Sequence, residues 1–183
     1  MPLLKKLHYT ADDYWNLPEG ERAELIDGTL YNMAPPSRIH QKLVMELSAT
    51  VREFIKKNNG KCQVYPAPFA VNLDAENKDW VGPDISVICD PNKLTERGCS
   101  GAPDLIFEIV SPASRKMDYS LKNTIYSQAG VREYWIVDPA KEQTTVYHYE
   151  DDAAPVIYTF LQKIPVGIYD GLEIQVSELL EDL

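Results

Sequence analysis

Long hydrophobic runs, a C-x-x-C motif and an excess of positive charge are what this 183-residue chain lacks. No apolar stretch approaches the roughly 20 residues that a membrane-spanning helix needs, so no membrane partner is expected. The opening MPLLKKLHYT has neither the apolar core nor the small-residue cleavage site of a secretory leader. Cys62, Cys89 and Cys99 are odd in number and contain no C-x-x-C pair, which argues against a zinc cluster. They predict reduced structural thiols in a cytoplasmic protein. The 9 Gly and 13 Pro are dispersed rather than clustered, which excludes collagen-like and low-complexity chains.

Basic residues are scarce, 18 against 28 acidic ones, for a net charge of −10. Taken as a bulk value this opposes a nucleic-acid partner, because phosphate binding depends on Lys and Arg displacing counterions. The distribution softens that conclusion: residues 141–183 hold 2 basic and 9 acidic residues, so 7 of the 10 excess negative charges fall in the last 43 positions. With 44% hydrophobic and 10% aromatic residues, the composition is that of one globular domain over residues 1–183.

Local pattern supplies the elements. Thr10-Ala11-Asp12-Asp13 has the form of a capping box and predicts a short helix over 11–17. Asp27-Gly28 between two apolar runs predicts a type I′ hairpin. Ser37 precedes Ile39, Leu43, Leu47, Val51 and Phe54, spaced about four apart, which predicts a long amphipathic helix closing at Asn58-Asn59-Gly60. Short β-type runs follow over 61–73, 84–89, 104–110, 132–137, 144–150, 156–161 and 172–176, with Pro66 and Pro68 marking the first as bent or at an edge. A helix over about 116–129, ended by Gly130, makes 104–137 a strand, helix, strand crossover. The fold class is α/β, bordering on α+β, with a mixed central sheet flanked by helices.

The informative charges are those that do not suit a core. Glu108 lies in Leu105-Ile106-Phe107-Glu108-Ile109-Val110, a strand otherwise apolar on both faces. An ionised carboxylate there costs several kcal/mol unless paired or bound to a cation. Asp84 opens a comparable run, Asp84-Ile85-Ser86-Val87-Ile88. Two carboxylates on neighbouring strands suit a hard divalent cation such as Mg²⁺, or Mn²⁺ in its place, and phosphate chemistry is the natural use. In the next helix Asp118, Lys122 and Tyr126 recur every four residues and share one stripe. Glu24, in an expected edge strand before the hairpin turn, is a third acid candidate.

Pro83-Asp84, a gap, then Glu108-Ile109-Val110 resembles the PD-(D/E)xK signature of the restriction-endonuclease-like superfamily. The wider text is closer still: Ala23-Glu24-Leu25-Ile26-Asp27-Gly28, His40-Gln41, Gly82-Pro83-Asp84, Phe107 to Pro112, Asp118, Lys122, and Gly130 to Pro139 together resemble the Uma-type family of endonucleases across about residues 8–180. The resemblance implies a restriction-endonuclease-like fold and an endonuclease that hydrolyses phosphodiester bonds of nucleic acid, DNA being the expected substrate. It implies a Mg²⁺ (or Mn²⁺) ion held by Asp84, Glu108 and the main chain of Ile109, with Glu24 as an outer acid. The lysine usual two positions after the acid is absent, since Val110 stands there, and its role passes to Lys122, with Lys116 the substitute. The alternative is a non-catalytic binding protein on an inactivated nuclease scaffold, which Val110 and the acidity favour. The aromatic C-terminal strands, with Tyr147, Tyr149, Tyr158, Phe160 and Tyr169, offer an edge for self-pairing, and a homodimer is expected.

Overall fold

The computed structural model describes residues 8–151 and 153–181. Thr10 caps α1 (Ala11–Trp15) through the capping box its sequence announces, with Asp13 reaching back to the Thr10 main chain. β1 (Ala23–Ile26) and β2 (Thr29–Asn32) pair with Ile26 opposite Thr29, so Asp27-Gly28 is the two-residue turn. Both turn residues have positive φ, 43° and 71°, as a type I′ turn requires. Any Cβ on Gly28 would also sit 2.0 Å from the His8 ring.

The long helix α2 (Arg38–Lys57) starts at Ser37, whose hydroxyl accepts from the His40 amide. It buries Leu43, Val44, Leu47, Val51 and Ile55 along one stripe, and each such aliphatic side chain contributes about 1.5–3 kcal/mol of burial. The run over 61–73 is not one strand. It divides into β3 (Gln63–Pro66) and β4 (Val71–Asn72), which belong to different sheets. β5 (Trp80–Val81), β6 (Ile85–Ile88), β7 (Leu94–Thr95), β8 (Gly98–Ser100) and β9 (Leu105–Ile109) follow. The helix after β9 opens with a π-helical stretch, Met117–Lys122, and continues as α3 (Asn123–Ala129), closed by Gly130 at φ 90°. The remaining strands are β10 (Glu133–Asp138), β11 (Gln143–His148), β12 (Val156–Thr159), β13 (Lys163–Pro165) and β14 (Glu173–Gln175).

Among the described residues these strands form two six-stranded sheets and a two-stranded ribbon. The central mixed sheet runs β12-β11-β10-β9-β6-β3, with β3 at an edge as its prolines imply. β9 and β10 are parallel across the intervening helix, the expected crossover, and the other pairings are antiparallel. The second sheet, β2-β1-β5-β4-β8-β7, places β1 between two neighbours, so Glu24 is not on an edge strand. Residues alternate across β9: Leu105, Phe107 and Ile109 face the core built on α2, while Ile106 and Val110 face the core shared with the second sheet and α3. Glu108 therefore points to the second side, toward the helix that carries Lys122.

One expectation is overturned. Cys62 and Cys89 are not reduced thiols; their sulfurs are bonded, with Cα atoms 3.9 Å apart. The antiparallel pairing of β3 with β6 sets Gln63 opposite Ile88 and so brings the flanking cysteines face to face, although 27 positions separate them in the chain. Cys99 alone is free, and buried. No helix among the described residues is long and apolar enough to cross a membrane.

Candidate active site

Strand register brings the two acids together. β6 and β9 pair with Ile85 opposite Phe107 and Ser86 opposite Ile106. One step beyond, Asp84 stands opposite Glu108 on the same face. The Asp84 carboxylate is fixed by two donors, the Ile109 amide at 2.8 Å and His40 Nε2 at 3.1 Å. His40 comes from the first turn of α2, so the Ser37 cap that starts this helix also aims the imidazole at Asp84.

Lys122 reaches the same place from the helix. It is a buried ammonium, 4% exposed, rather than half of a surface ion pair. Its Nζ donates to Glu108 Oε1 at 2.9 Å, lies 3.0 Å from Glu24 Oε1 and 3.7 Å from Asp118 Oδ1. Tyr126, one turn further, donates its hydroxyl to the same Glu108 oxygen at 2.7 Å. Glu24 Oε1 also accepts from the Gly82 amide at 3.0 Å. Asp84, Glu108, Lys122 and Glu24 thus converge, with Ile109 contributing main chain beside Asp84. Among the described residues Lys116 makes no ion pair with these groups, whereas Lys122 bridges Glu108 and Glu24.

The helix is positioned by contacts that carry no charge into the site. Arg115 and Tyr119 both donate to Asp138, which is fully buried at the end of β10. Tyr134 donates to the Asp118 carbonyl at 3.0 Å and Tyr149 to the Asn123 carbonyl at 3.1 Å. A π-helical stretch widens the turn by one residue and frees main-chain oxygens for such bonds. Tyr149 is thereby held against this helix, and Tyr147 stacks between Tyr134 and Tyr149. Trp135 and Tyr134 are core residues, fully buried.

Electrostatics sets this cluster apart from an ordinary buried charge. Burial, with neighbouring Asp84, Asp118 and Glu24, holds the Glu108 carboxyl well above its usual range even against Lys122. Asp118 is pushed up to about 6 by burial, partly offset by Lys122. Burial alone would lower Lys122, but Glu108, Glu24 and Asp118 outweigh it and raise it well above an ordinary lysine. Glu133 supplies the contrast: it is equally buried, yet it accepts from Trp135 Nε1, Gly167 N and Ile168 N. Its role is to hold the 167–168 loop. Both Asp118 oxygens, by contrast, are buried without a hydrogen bond, as is His40 Nδ1.

The cluster opens on a cavity of about 170 Å³ whose walls include Arg22, Glu24, His40, Asp84, Glu108 and Lys122. Four carboxylates against one ammonium and one imidazole is a strongly negative donor set, and the orphaned Asp118 oxygens add unmet acceptor capacity. Such oxygen-rich sets fit a hard divalent cation, which binds through one or two carboxylates and retains water. Among the described residues no three of the His, Cys, Asp and Glu side chains form a ready-made cation cage; Lys122 lies between the two glutamates instead. Arg22 and Ser114 are among the wall residues that escaped notice in the sequence. Arg22 was legible in principle, since strand period 2 puts it on the face of Glu24; Ser114 carried no signal.

A family model described as "Putative restriction endonuclease", Uma2, matches residues 11–177. The chain belongs to the Uma2 family. An uncharacterized protein of Synechocystis sp. is 24% identical over 147 residues, covering 80% of this chain and 76% of that protein. Among solved structures, a "putative nuclease belonging to DUF820" from Anabaena variabilis superposes with a TM-score of 0.76 at 20% identity, over 93% of this chain and 96% of that one. That likeness establishes the fold: this Uma2 chain has a nuclease-like architecture, as the Asp84 and Glu108 text implies.

Proposed function

We propose that this Uma2 protein is a metal-dependent endonuclease that hydrolyses phosphodiester bonds of DNA and works as a homodimer. The observation that carries the proposal is the buried constellation itself: Asp84 opposed to Glu108, with Lys122 bridging Glu108 and Glu24. Asp84, Glu108 and the Ile109 main chain would hold Mg²⁺ or Mn²⁺. Such an ion supplies a Lewis acid for the phosphoryl oxygen and a bound water of lowered pKa.

The protein's own groups do the rest. His40 and the Ile109 amide orient Asp84, and Tyr126 orients Glu108. Lys122, always charged in this setting, hydrogen-bonds the attacking water and offsets the negative charge that builds on the phosphorus oxygens. Arg22 at the cavity wall draws in the phosphate. No covalent enzyme intermediate is needed. The homodimer is supported by the edge strand β12, where Ile157 is 62% exposed, and by nearby Leu161, 77% exposed.

The test is cleavage of plasmid, linear and single-stranded DNA with Mg²⁺ or Mn²⁺. Glu108→Ala is expected to lower the rate by at least about a hundredfold, the scale of a lost acid–base or electrostatic group. Cleavage that survives this change or EDTA overturns the proposal. One observation favours a second reading, a binding protein on a silent scaffold: Lys122 already neutralises Glu24 and Glu108. Calorimetric titration with Mn²⁺ separates the two, because a silent scaffold shows no uptake that Asp84→Ala abolishes.

A further inference from the structure

A second cavity, about 450 Å³, lies on the other side of the Arg22 wall, lined by Tyr14, Trp15, Phe69, Arg97 and the Arg22–Ala23 segment. The two cavities are neighbours that share part of their walls. Arg22 and Met33 line both, and Gly82, whose amide binds Glu24, lines the second. Its volume falls within the roughly 300–1,000 Å³ of small-molecule sites.

The aromatic wall comes from α1, a helix that buries none of its own residues in spite of a complete capping box. Core packing accounts for Tyr14, which stacks on the buried Trp80 at 5.9 Å, but not for Trp15. What α1 presents is Tyr14 and Trp15, set edge-on at 5.1 Å, with Trp15 also edge-on to Trp80 at 5.0 Å. Trp15 remains 37% exposed, and the Arg97 guanidinium stands over its ring at 5.1 Å. Arg22 and Arg97 make no ion pair among the described residues. Glu19 and Glu21 also line the cavity, so a phosphate inside it would be repelled, whereas a neutral heterocycle would meet π faces, guanidinium donors and carboxylate acceptors.

We infer that this cavity is a nucleobase subsite that takes an unpaired base of the strand whose neighbouring phosphate sits at the carboxylate cavity. The inference rests on the nuclease proposal for the identity of that strand. A base stacked and paired inside a duplex cannot enter a pocket of this kind, so the substrate class is single-stranded or locally unpaired nucleic acid. Trp15 stacks the base, with Tyr14, itself stacked on Trp80, at its edge; Arg97 closes over the base, and Arg22, shared by both cavities, neutralises the phosphate between base and scissile bond.

The test is fluorescence anisotropy with short labelled single-stranded DNA and RNA, their duplexes, and an abasic strand of equal length. It is run in a Glu108→Gln background with Mg²⁺ so that cleavage does not intervene. Trp15→Ala and Arg97→Ala are each expected to weaken single-strand binding about tenfold or more, the scale of one lost stacked base. Trp15→Phe restores most of the loss, the abasic strand binds all variants alike, and single strands bind more tightly than duplex. Unchanged single-strand affinity in both variants, or an equal loss for the abasic strand, overturns the subsite. Failure of the nuclease proposal looks different: protein with Glu108 intact cleaves nothing under Mg²⁺ while Trp15-dependent binding persists, which supports the subsite and removes only the catalysis.

Discussion

Lys122 is the residue on which the site's charge depends. Its ammonium is the cation shared by Glu24 and Glu108, and removing one partner of a buried pair typically costs about 3–5 kcal/mol, because the surviving charge is left unpaired. Lys122→Met is therefore expected to lower thermal stability by that order in EDTA. Divalent cation should then raise the melting temperature of the variant more than that of the wild type, since the freed carboxylates regain a counter-charge; equal shifts by calorimetry would separate the cation from these acids. Asp118 gives the pH dependence. Its folded value of about 6 lies above its ordinary 3.8, so the folded state holds the proton more tightly. The stability this confers is complete at the acid end and is lost as pH rises from about 4 through about 6. Asp118→Asn, which cannot ionise, should gain on the wild type across that window by up to about 3 kcal/mol at roughly 1.4 kcal/mol per pKa unit, measured by denaturant unfolding in EDTA. At this scale much was legible. A carboxylate in an apolar strand, an acid opening a similar strand and an i, i+4 stripe led to Asp84, Glu108 and Lys122. Their partners were not: Gly82 donating to Glu24, His40 donating to Asp84 and the Cys62–Cys89 bond all join positions at least 27 apart in the chain, and spacing alone does not report such pairs.

Among the elements, the helix over 115–129 is the one that delivers the site. Its end was legible because Gly130 adopts φ 90°, a left-handed conformation that glycine takes without penalty. A Cβ at Gly130 would meet nothing within 4 Å. Gly130→Ala should accordingly cost only the backbone term, about 1–2 kcal/mol, and Gly130→Asn less, by thermal denaturation. A larger loss would mean that the helix end also packs. The π-helical stretch within it was not legible. Its register is set from outside, by Tyr134 and Tyr149 drawing on the Asp118 and Asn123 carbonyls and by Asp138 anchoring Arg115 and Tyr119. The two-residue strands β5 and β7 were missed, and β4 was merged with β3, for a different reason. Two residues cannot display an alternation, and only their neighbours in the second sheet make them strands. Glu24 was underrated by the same gap, because without β5 the strand that bears it reads as an edge.

For the molecule as a whole, charge and edges pull in different directions. Most of the negative excess lies in the last 43 residues, which include β12, the outer strand of the central sheet. An exposed edge carrying Val156 and Ile157, 42% and 62% accessible, is a template for pairing with a second copy unless something covers it. Two such edges meeting about a two-fold axis would continue the sheet, but they would also bring two acidic C-terminal regions together. Salt screens that repulsion, with a Debye length of about 10 Å at 0.1 M, so dimerisation should strengthen as ionic strength rises. Nucleic-acid binding, in which Arg22 releases counterions from phosphate, should weaken over the same range. Light scattering on the purified protein at micromolar concentration is expected to give twice the 20.8 kDa chain mass, with Ile157→Lys shifting it to the single-chain mass, and a monomeric wild type at every salt concentration would refute pairing through β12. If dimerisation rises with salt while anisotropy of a bound oligonucleotide falls, the two surfaces are separate, because one shared surface would show a single salt dependence.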